Sequence, residues 1–526
     1  MTYTKLICLL LAALLATCNA THEAFVKCMS SHSSRSINSS DYIQVPGSPS
    51  YSLLLQSSQQ NPRWVNSTSL RPQFIITPYT DIEIKASILC SRKHGLQVRI
   101  LSGGHDYEGQ SYRCKTPFII INLINLRSVR IDLEEETAWV QSGTTLGEVY
   151  YNIAKKSKVH GFPAGSCPSV GIGGHFSGGG FGNMVRKYGL AADNVIDAYL
   201  IDVYGRILDR ETMGKDLFWA IRGGGGASFG VIVSWKIKLV RVPEVVTFFN
   251  VHKKLEQGAT ELVHRWQYVA EKLPENLFIR VMMNNAGQVN NKAVLQASFQ
   301  SLFLGEVSEL MSMMRNWFPE LGLQVENCTE MTWIESALWF AGYTEGQSWD
   351  VLLTRTDQYK SNFKAKSDFV TKPIPKSGLE GIWKRMLEVE LAFVILEPFG
   401  GRMAEISESE IPFPHRKGNL YNVQYLLKWD VNNDKASEKH IEWIWKLYKY
   451  MKLYVSHSPR TAYQNYRDFD LGINKQPYTN YNEAALWGSK YFKSNFRKLA
   501  QVKTKADPLN FFRHEQSIPL IRTPKV

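Results

Sequence analysis

Two short stretches of the chain carry residue types able to hold a phosphorylated or flat ligand. Gly165 to Gly182, GSCPSVGIGGHFSGGGFG, is glycine at eight of its eighteen positions. Glycine accepts positive φ and lets the backbone come close to a ligand, so a run this dense presents main-chain N–H groups to phosphates or to a ring. A flexible linker would be polar and Ser-rich, whereas this run holds Cys167, Val170, Ile172, Phe176 and Phe181. The second stretch, Ser102-Gly-Gly-His-Asp-Tyr-Glu-Gly109, follows the apolar segment Leu96 to Leu101. It reads as a turn at a strand end with His105 inside it.

Two standard phosphate cradles are excluded by spacing. The P-loop ends in Gly-Lys-Ser/Thr, and no lysine follows Gly165 before Lys187. A GxGxxG fingerprint from Gly171 meets Phe176 where its third glycine belongs, and one from Gly223 meets Ser228. A dinucleotide-binding Rossmann unit is not expected.

The elements that must position these turns follow from periodicity. Phe74-Ile-Ile reads as a strand, then a helix with Asp81 as N-cap and Gly95 as its stop, then the strand into the His105 turn. Phe118 to Leu123 and Ala138 to Ser142 read as strands, and Thr145 to Ala154 as a helix leading into the glycine-rich run. Such alternation implies an α/β or α+β domain. After Val240-Arg-Val-Pro243 the texture changes: Leu262, Trp266, Val269 and Leu273 mark an amphipathic helix. Strand-like segments at Leu277 to Met283, Ala293 to Phe303, Leu391 to Leu396 and Leu420 to Trp429 then alternate with helices such as Ile441 to Met451. An antiparallel sheet backed by helices accommodates them. The division expected is a leader at 1–20, a cofactor domain at 21–243, a substrate domain at 244–470 and a return to the cofactor domain at 471–526.

At 526 residues with 44% hydrophobic and 12% aromatic content, the chain can bury a large core. Lys5, the apolar run Leu6 to Thr17 and Cys18-Asn-Ala20 form a secretory signal peptide cleaved after Ala20. Twelve apolar residues are too few to span a bilayer, and no other uncharged run approaches twenty, so no membrane span is expected. The formal net charge is +13, but the basic residues are scattered, which argues against nucleic acid as a partner. Of seven cysteines, Cys28, Cys90, Cys114, Cys167 and Cys328 remain after the leader. An oxidising compartment permits a disulfide among them. Sequons at Asn38, Asn66 and Asn327 fit a glycosylated protein of the secretory pathway, extracellular (apoplast) or vacuolar. A monomer without a metal site is expected.

SGGHDYEG (102–109), CPSVGIGGHFSGGG (167–180), KYGLAADN (187–194), DLFWAIRGGGG (216–226) and DPLNFFRHEQSIP (507–519) together resemble the plant berberine bridge enzyme-like family. The resemblance covers nearly all of the mature chain. It implies an α+β, two-domain vanillyl-alcohol-oxidase/PCMH-type FAD-binding fold with an antiparallel-sheet-plus-helices substrate domain. It also implies flavin adenine dinucleotide (FAD) attached twice, through His105 to the 8α-methyl and through Cys167 to C6 of the ring, and a Cys28–Cys90 disulfide. Around the cofactor it implies Ser102, Gly103, Gly104, Asp106, Tyr107, Gly165, Val170, Gly171, Ile172, Gly173, Gly174, His175, Phe181, Ile232, Tyr478 and Asn480.

For the chemistry, the resemblance offers Tyr481, in Asn480-Tyr-Asn-Glu483, as the proton acceptor that cannabinoid synthases and many relatives place near the flavin. A phenol's ordinary pKa is near 10, so such a base needs help from its surroundings. Gln424 stands where berberine bridge enzyme has its glutamate base; it cannot take that proton but can hydrogen-bond substrate. Phe181 and Asn422 replace the tyrosine and lysine of monolignol-oxidising members, and Leu101 replaces an arginine common before the SGGH turn. Val170 matches a position tied to oxygen access, where valine is the oxidase form. The implied activity is hydride transfer from an alkaloid, phenolic or prenylated aromatic to flavin, with O2 reduced to H2O2. A carbohydrate oxidase of the same family and a flavin-containing non-redox cyclase are the alternatives.

Overall fold

The computed structural model describes residues 22–32, 38–65, 69–290, 292–356, 360–430, 434–475 and 479–521. The leader, Asn66 and Tyr478 lie outside the described residues.

Strand Phe74–Ile76, buried throughout, runs parallel to Phe118–Asn122, which also pairs in parallel with Gln97–Leu101. The helix joining the first and last of these, Asp81–Lys93, is capped by Thr80 rather than by Asp81. Thr80 has the extended backbone a cap requires: its hydroxyl accepts from Ile82 N–H (3.2 Å) and its own N–H donates to the Glu83 carboxylate (2.8 Å). Asp81 is the first helical residue. Cys90, inside this helix, forms a disulfide with Cys28 across 5.9 Å between Cα atoms, tying down the helix at 22–32.

An antiparallel five-stranded sheet follows, in the order Val129–Asp132, Thr137–Gln141, Val231–Lys238, Val195–Ile201, Ile207–Leu208. Helix Leu146–Lys156 starts at Thr145 through a reciprocal cap with Glu148.

The segments expected to alternate with helices assemble into one antiparallel sheet of seven strands. Its order is Cys328–Met331, Val246–Lys254, Lys292–Phe303, Leu277–Val289, Ala392–Pro398, Tyr421–Trp429, Asn362–Val370. The central hairpin runs past the apolar residues because pairing continues to Val289 opposite Lys292. Helix Ala259–Val269 buries Leu262, Trp266 and Val269, and the Trp266 ring N–H donates to Ile279 O (2.9 Å). The next residue, Arg280, points by strand alternation to the opposite face, which is turned to the cavity described below.

One apolar core cluster extends from Ala138 in the five-stranded sheet through the seven-stranded sheet to Ile518, and two more cover the two faces of the parallel strands. The fold is α+β, as expected. The C-terminal segment packs back on the first half of the chain: Lys503 Nζ, fully buried, donates to Ser228 O (2.7 Å), and Ile518 N–H to Ser228 Oγ (3.2 Å).

Candidate active site

A cavity of about 470 Å3 lies between the glycine-rich turns and the seven-stranded sheet. The two turns meet backbone to backbone. A Cβ on Gly103 would lie 2.2 Å from Gly171 N, and a Cβ on Gly171 would lie 2.2 Å from Gly103 N, so neither position accepts a side chain. The Gly223 to Gly226 run joins them, since the N–H groups of Gly223 and Gly225 both donate to Ser177 O at 2.9 Å.

In this wall His105 Nε2 lies 3.0 Å from Ser169 Oγ, and Cys167 Sγ lies 3.6 Å from the same oxygen. A histidine 64 residues upstream is thereby held beside the cysteine at one hydroxyl. Gly174 also lines the cavity, and a Cβ there would meet nothing within 4 Å, leaving its backbone open to a ligand. A histidine and a cysteine meeting in the cavity wall, with main chain open to a ligand alongside, fit a flavin nucleotide.

His175 accepts a hydrogen bond from Gly165 N–H at Nε2 (3.0 Å), so Nδ1 carries the ring proton in the neutral form. Its accessible edge faces the cavity, and desolvation lowers its pKa to about 4. Asp106 organises the His105 turn: Oδ1 accepts from Glu108 and Gln110 N–H, and Oδ2 lies 3.4 Å from Arg467.

The sheet closes the other side. Gln424 Nε2 donates to the Tyr107 hydroxyl at 2.6 Å. The Tyr107 ring stacks on Tyr466 at 5.6 Å and 8°, with Phe363 edge-on at 5.1 Å. The Tyr466 hydroxyl donates to Glu397 Oε2 (3.4 Å), and Arg280 lies 3.6 Å from Glu397 Oε1. Burial, and then the Glu397 charge, hold the Tyr466 phenol well above its usual pKa; burial also raises Glu397 despite Arg280. Burial raises Tyr107 and Tyr463 as well, so all three tyrosines that line the cavity are neutral at pH 7.

Behind this wall lies a charge cluster. Lys364 contacts Glu108, Asp468 (2.8 Å) and Asp470 (3.1 Å); Lys366 contacts Asp468 (2.7 Å) and Asp470 (2.6 Å); Arg63 contacts Glu108 (3.2 Å). Three cations meet three carboxylates, so these desolvated charges are compensated. Glu108 belongs to the His105 turn and Asp468 follows Tyr466 by two residues, so the cluster anchors both walls.

Of the residues expected around the ligand, Ser102, Gly103, Gly104, His105, Asp106, Tyr107, Gly165, Cys167, Val170, Gly171, Gly173, Gly174, His175, Phe181, Ile232 and Gln424 all line the cavity. Three do not. Ile172 opens the short helix Ile172–Ser177 with its side chain wholly in the core. Asn480 is exposed and caps helix Tyr481–Phe492, accepting from Asn482 N–H (2.9 Å). Tyr481 is the first residue of that helix, its ring stacked on Phe496 at 5.5 Å and away from the cavity. The Asn-Tyr-Asn-Glu run is a helix start, and the tyrosines that line the cavity are Tyr107, Tyr463 and Tyr466.

Sequence reading missed Tyr466, Arg280, Glu397, Phe363, Ile395 and Leu426. Gln424 held a usable signal, because Leu426 and Lys428 share its strand face and Ile395 pairs with it across the ladder. Leu101, at the missing-arginine position, packs among Tyr51, Ile75 and Phe118. A buried cation comes instead from Arg99, which lines the cavity and pairs with Glu515 at 3.2 Å.

A PCMH-type α+β fold with glycine turns, a histidine and a cysteine in the cavity wall defines a FAD-dependent oxidoreductase. Residues 72–210 match the family described as "FAD binding domain", and residues 462–519 the family "Berberine and berberine like". The chain belongs to the berberine bridge enzyme-like family. It is 56% identical over 504 residues to berberine bridge enzyme-like 23 of Arabidopsis thaliana (94% of each chain). It is 50% identical over 516 residues to the tetrahydroberberine oxidase of Berberis wilsoniae (97% of this chain, 96% of the other). The crystal structure of Phl p 4, a grass pollen allergen with glucose dehydrogenase activity, superposes with a TM-score of 0.89 at 40% identity, covering 95% of this chain and 100% of the allergen. A Phl p 4 variant with isoleucine changed to valine and, five positions on, asparagine changed to histidine is described as a glucose oxidase. Among the described residues no helix is long and apolar enough to cross a membrane.

Proposed function

We propose that this is a secreted oxidase of plant specialised metabolism, acting on an alkaloid, phenolic or prenylated aromatic. The observation that carries the reading is the ligand-facing wall: Phe181, Phe363, Ile395 and Leu426 surround the polar groups of Gln424 and Tyr466. Such a surface suits a flat, largely apolar molecule with one or two polar groups. The likeness to tetrahydroberberine oxidase supports it. A carbohydrate oxidase is the second reading, favoured by the likeness to the grass allergen; a sugar, however, needs matched partners for many hydroxyls, and four of these six side chains offer none.

His105 and Cys167 would hold FAD in the cavity, where it would supply a hydride acceptor that dioxygen can reoxidise. Gln424 orients the substrate by hydrogen bonding. Tyr466, neutral at pH 7, takes a substrate proton as its own passes toward Glu397, and Arg280 steadies that carboxyl group. Val170 and His175 stand five residues apart, the separation of the two positions changed in the allergen; there the change to valine alone is named an oxidase and the change to histidine alone a dehydrogenase, so Val170 is the residue that supports oxygen as the acceptor. Residues 21–243 and 471–526 make the cofactor domain and 244–470 the substrate domain. The leader directs the protein into the secretory pathway, where the Cys28–Cys90 disulfide forms and the exposed Asn38 and Asn327 carry glycans.

The test is anaerobic mixing of the holoprotein with representatives of each substrate class, followed by peroxide measurement in air. Bleaching by an alkaloid or phenolic with stoichiometric H2O2 is expected. Bleaching by sugars alone would move the assignment to the carbohydrate branch, and turnover without bleaching would indicate non-redox chemistry.

A further inference from the structure

The Ser169 hydroxyl contacts both side chains that would attach the flavin. It is 2% exposed, held in a turn in which Val170 N–H donates to Cys167 O (3.3 Å), and its Oγ lies 3.0 Å from His105 Nε2 and 3.6 Å from Cys167 Sγ. A serine hydroxyl donates one hydrogen bond and accepts others, so it can serve two neighbours in opposite senses at once. We infer that Ser169 is the positioning residue for both flavin attachments: it accepts from His105 Nε2–H and donates to Cys167 Sγ.

Each sense favours the reactive form of its neighbour. A proton fixed on Nε2 leaves the lone pair of His105 on Nδ1, the nitrogen able to attack carbon. A donated O–H stabilises the Cys167 thiolate, which is the nucleophilic form of a cysteine. Each attachment replaces one C–H bond of the ring system with a C–N or C–S bond. The hydrogen departs as a proton, its electron pair enters the flavin, and dioxygen, the oxidant of the proposed reaction, removes that pair. Alkylation at Nδ1 would leave an imidazolium, and its Nε2 proton can be shed through Ser169.

The inference rests on the two-bond reading of the cofactor site, and the experiment separates the two. Full-length wild type, Ser169→Ala and Ser169→Thr are purified, precipitated with acid and digested, and peptides containing His105 and Cys167 are weighed for attached flavin. Wild type should carry flavin on both. Losing a hydrogen bond to a charged or developing-charge group slows a step roughly 10- to 100-fold. Doubly linked Ser169→Ala should therefore fall to roughly a tenth of wild type or less, while Ser169→Thr, which keeps the hydroxyl, should recover it. Unchanged melting temperatures exclude a folding defect as the cause. Double linkage in Ser169→Ala equal to wild type overturns the role of Ser169 and leaves the two-bond reading intact. Flavin released from wild type overturns both.

Discussion

The side-chain amide of Gln424 reaches from the seven-stranded sheet to the hydroxyl of Tyr107, 2.6 Å away. One short hydrogen bond thus links the sheet wall to the turn that carries His105. Gln424→Ala removes this bond and the amide offered to substrate, a loss of about 0.5–1.5 kcal/mol. The expected result is a rise of roughly 2- to 12-fold in the substrate dissociation constant, with a smaller effect on the limiting rate of flavin reduction. Stopped-flow reduction across substrate concentrations separates the two, and an effect confined to the limiting rate would contradict the assignment.

Tyr466 and Tyr481 give a paired test. Tyr466→Phe keeps the ring stacked on Tyr107 and deletes the hydroxyl, so reduction should slow by roughly 10²- to 10⁴-fold if that hydroxyl carries the substrate proton. Tyr481→Phe should reduce at the wild-type rate, because its ring lies on Phe496. Equal rates in wild type and Tyr466→Phe would mean that the substrate needs no base there.

The position of Tyr481, on Phe496 and off the cavity, shows how far the site is legible in the sequence. The glycine turns were readable because their constraint is local: Gly103 and Gly171 admit no Cβ, and neighbouring residues carry the signal. Arg280, Glu397 and Tyr466 come from strands and a loop up to 186 residues apart, and each looks ordinary in its own segment. The pairing of Val281 with Leu396 sets Arg280 beside Glu397, and the loop carrying Tyr466 adds the phenol. Asn480-Tyr481 drew attention by its motif, yet Asn480 spends its side chain on capping a helix.

For the cofactor, the proposed attachment at two points would make single losses tolerable. His105→Ala and Cys167→Ala should each still hold flavin through acid precipitation, and the double variant should release it. Absorbance of the washed pellet decides this. Free FAD from the wild type would remove the two-bond reading.

His175 should confer a dependence on acid. Its folded pKa of about 4 lies below its unfolded value near 6.5. The neutral ring therefore contributes stability that is fully present above pH 6.5 and is lost as pH falls from 6.5 toward 4, where the unfolded chain binds the proton first. His175→Asn lacks this proton. Melting temperatures at pH 7, 5.5 and 4 should show wild type losing ground to the variant across that window; parallel curves would refute the shift.

Gly103→Ala or Gly171→Ala should destabilise by at least about 1–3 kcal/mol, since a methyl 2.2 Å from a backbone nitrogen forces the two turns apart. Urea unfolding measures it. Gly174→Ala, where the methyl meets nothing within 4 Å of protein, should leave stability of the flavin-free chain nearly unchanged.

The charge cluster of Arg63, Glu108, Lys364, Lys366, Asp468 and Asp470 has a consequence for building hybrids between relatives. Its members come from four parts of the chain, near 63, 108, 365 and 469, and their charges cancel only as a set. Where a relative differs at any of the six positions, a crossover between these parts strands a cation or carboxylate out of water. Exchanging substrate specificity between relatives by swapping the sheet alone should then yield poorly folding chains unless the Lys364 and Lys366 partners travel with it, so recombination is constrained to points that leave all six together.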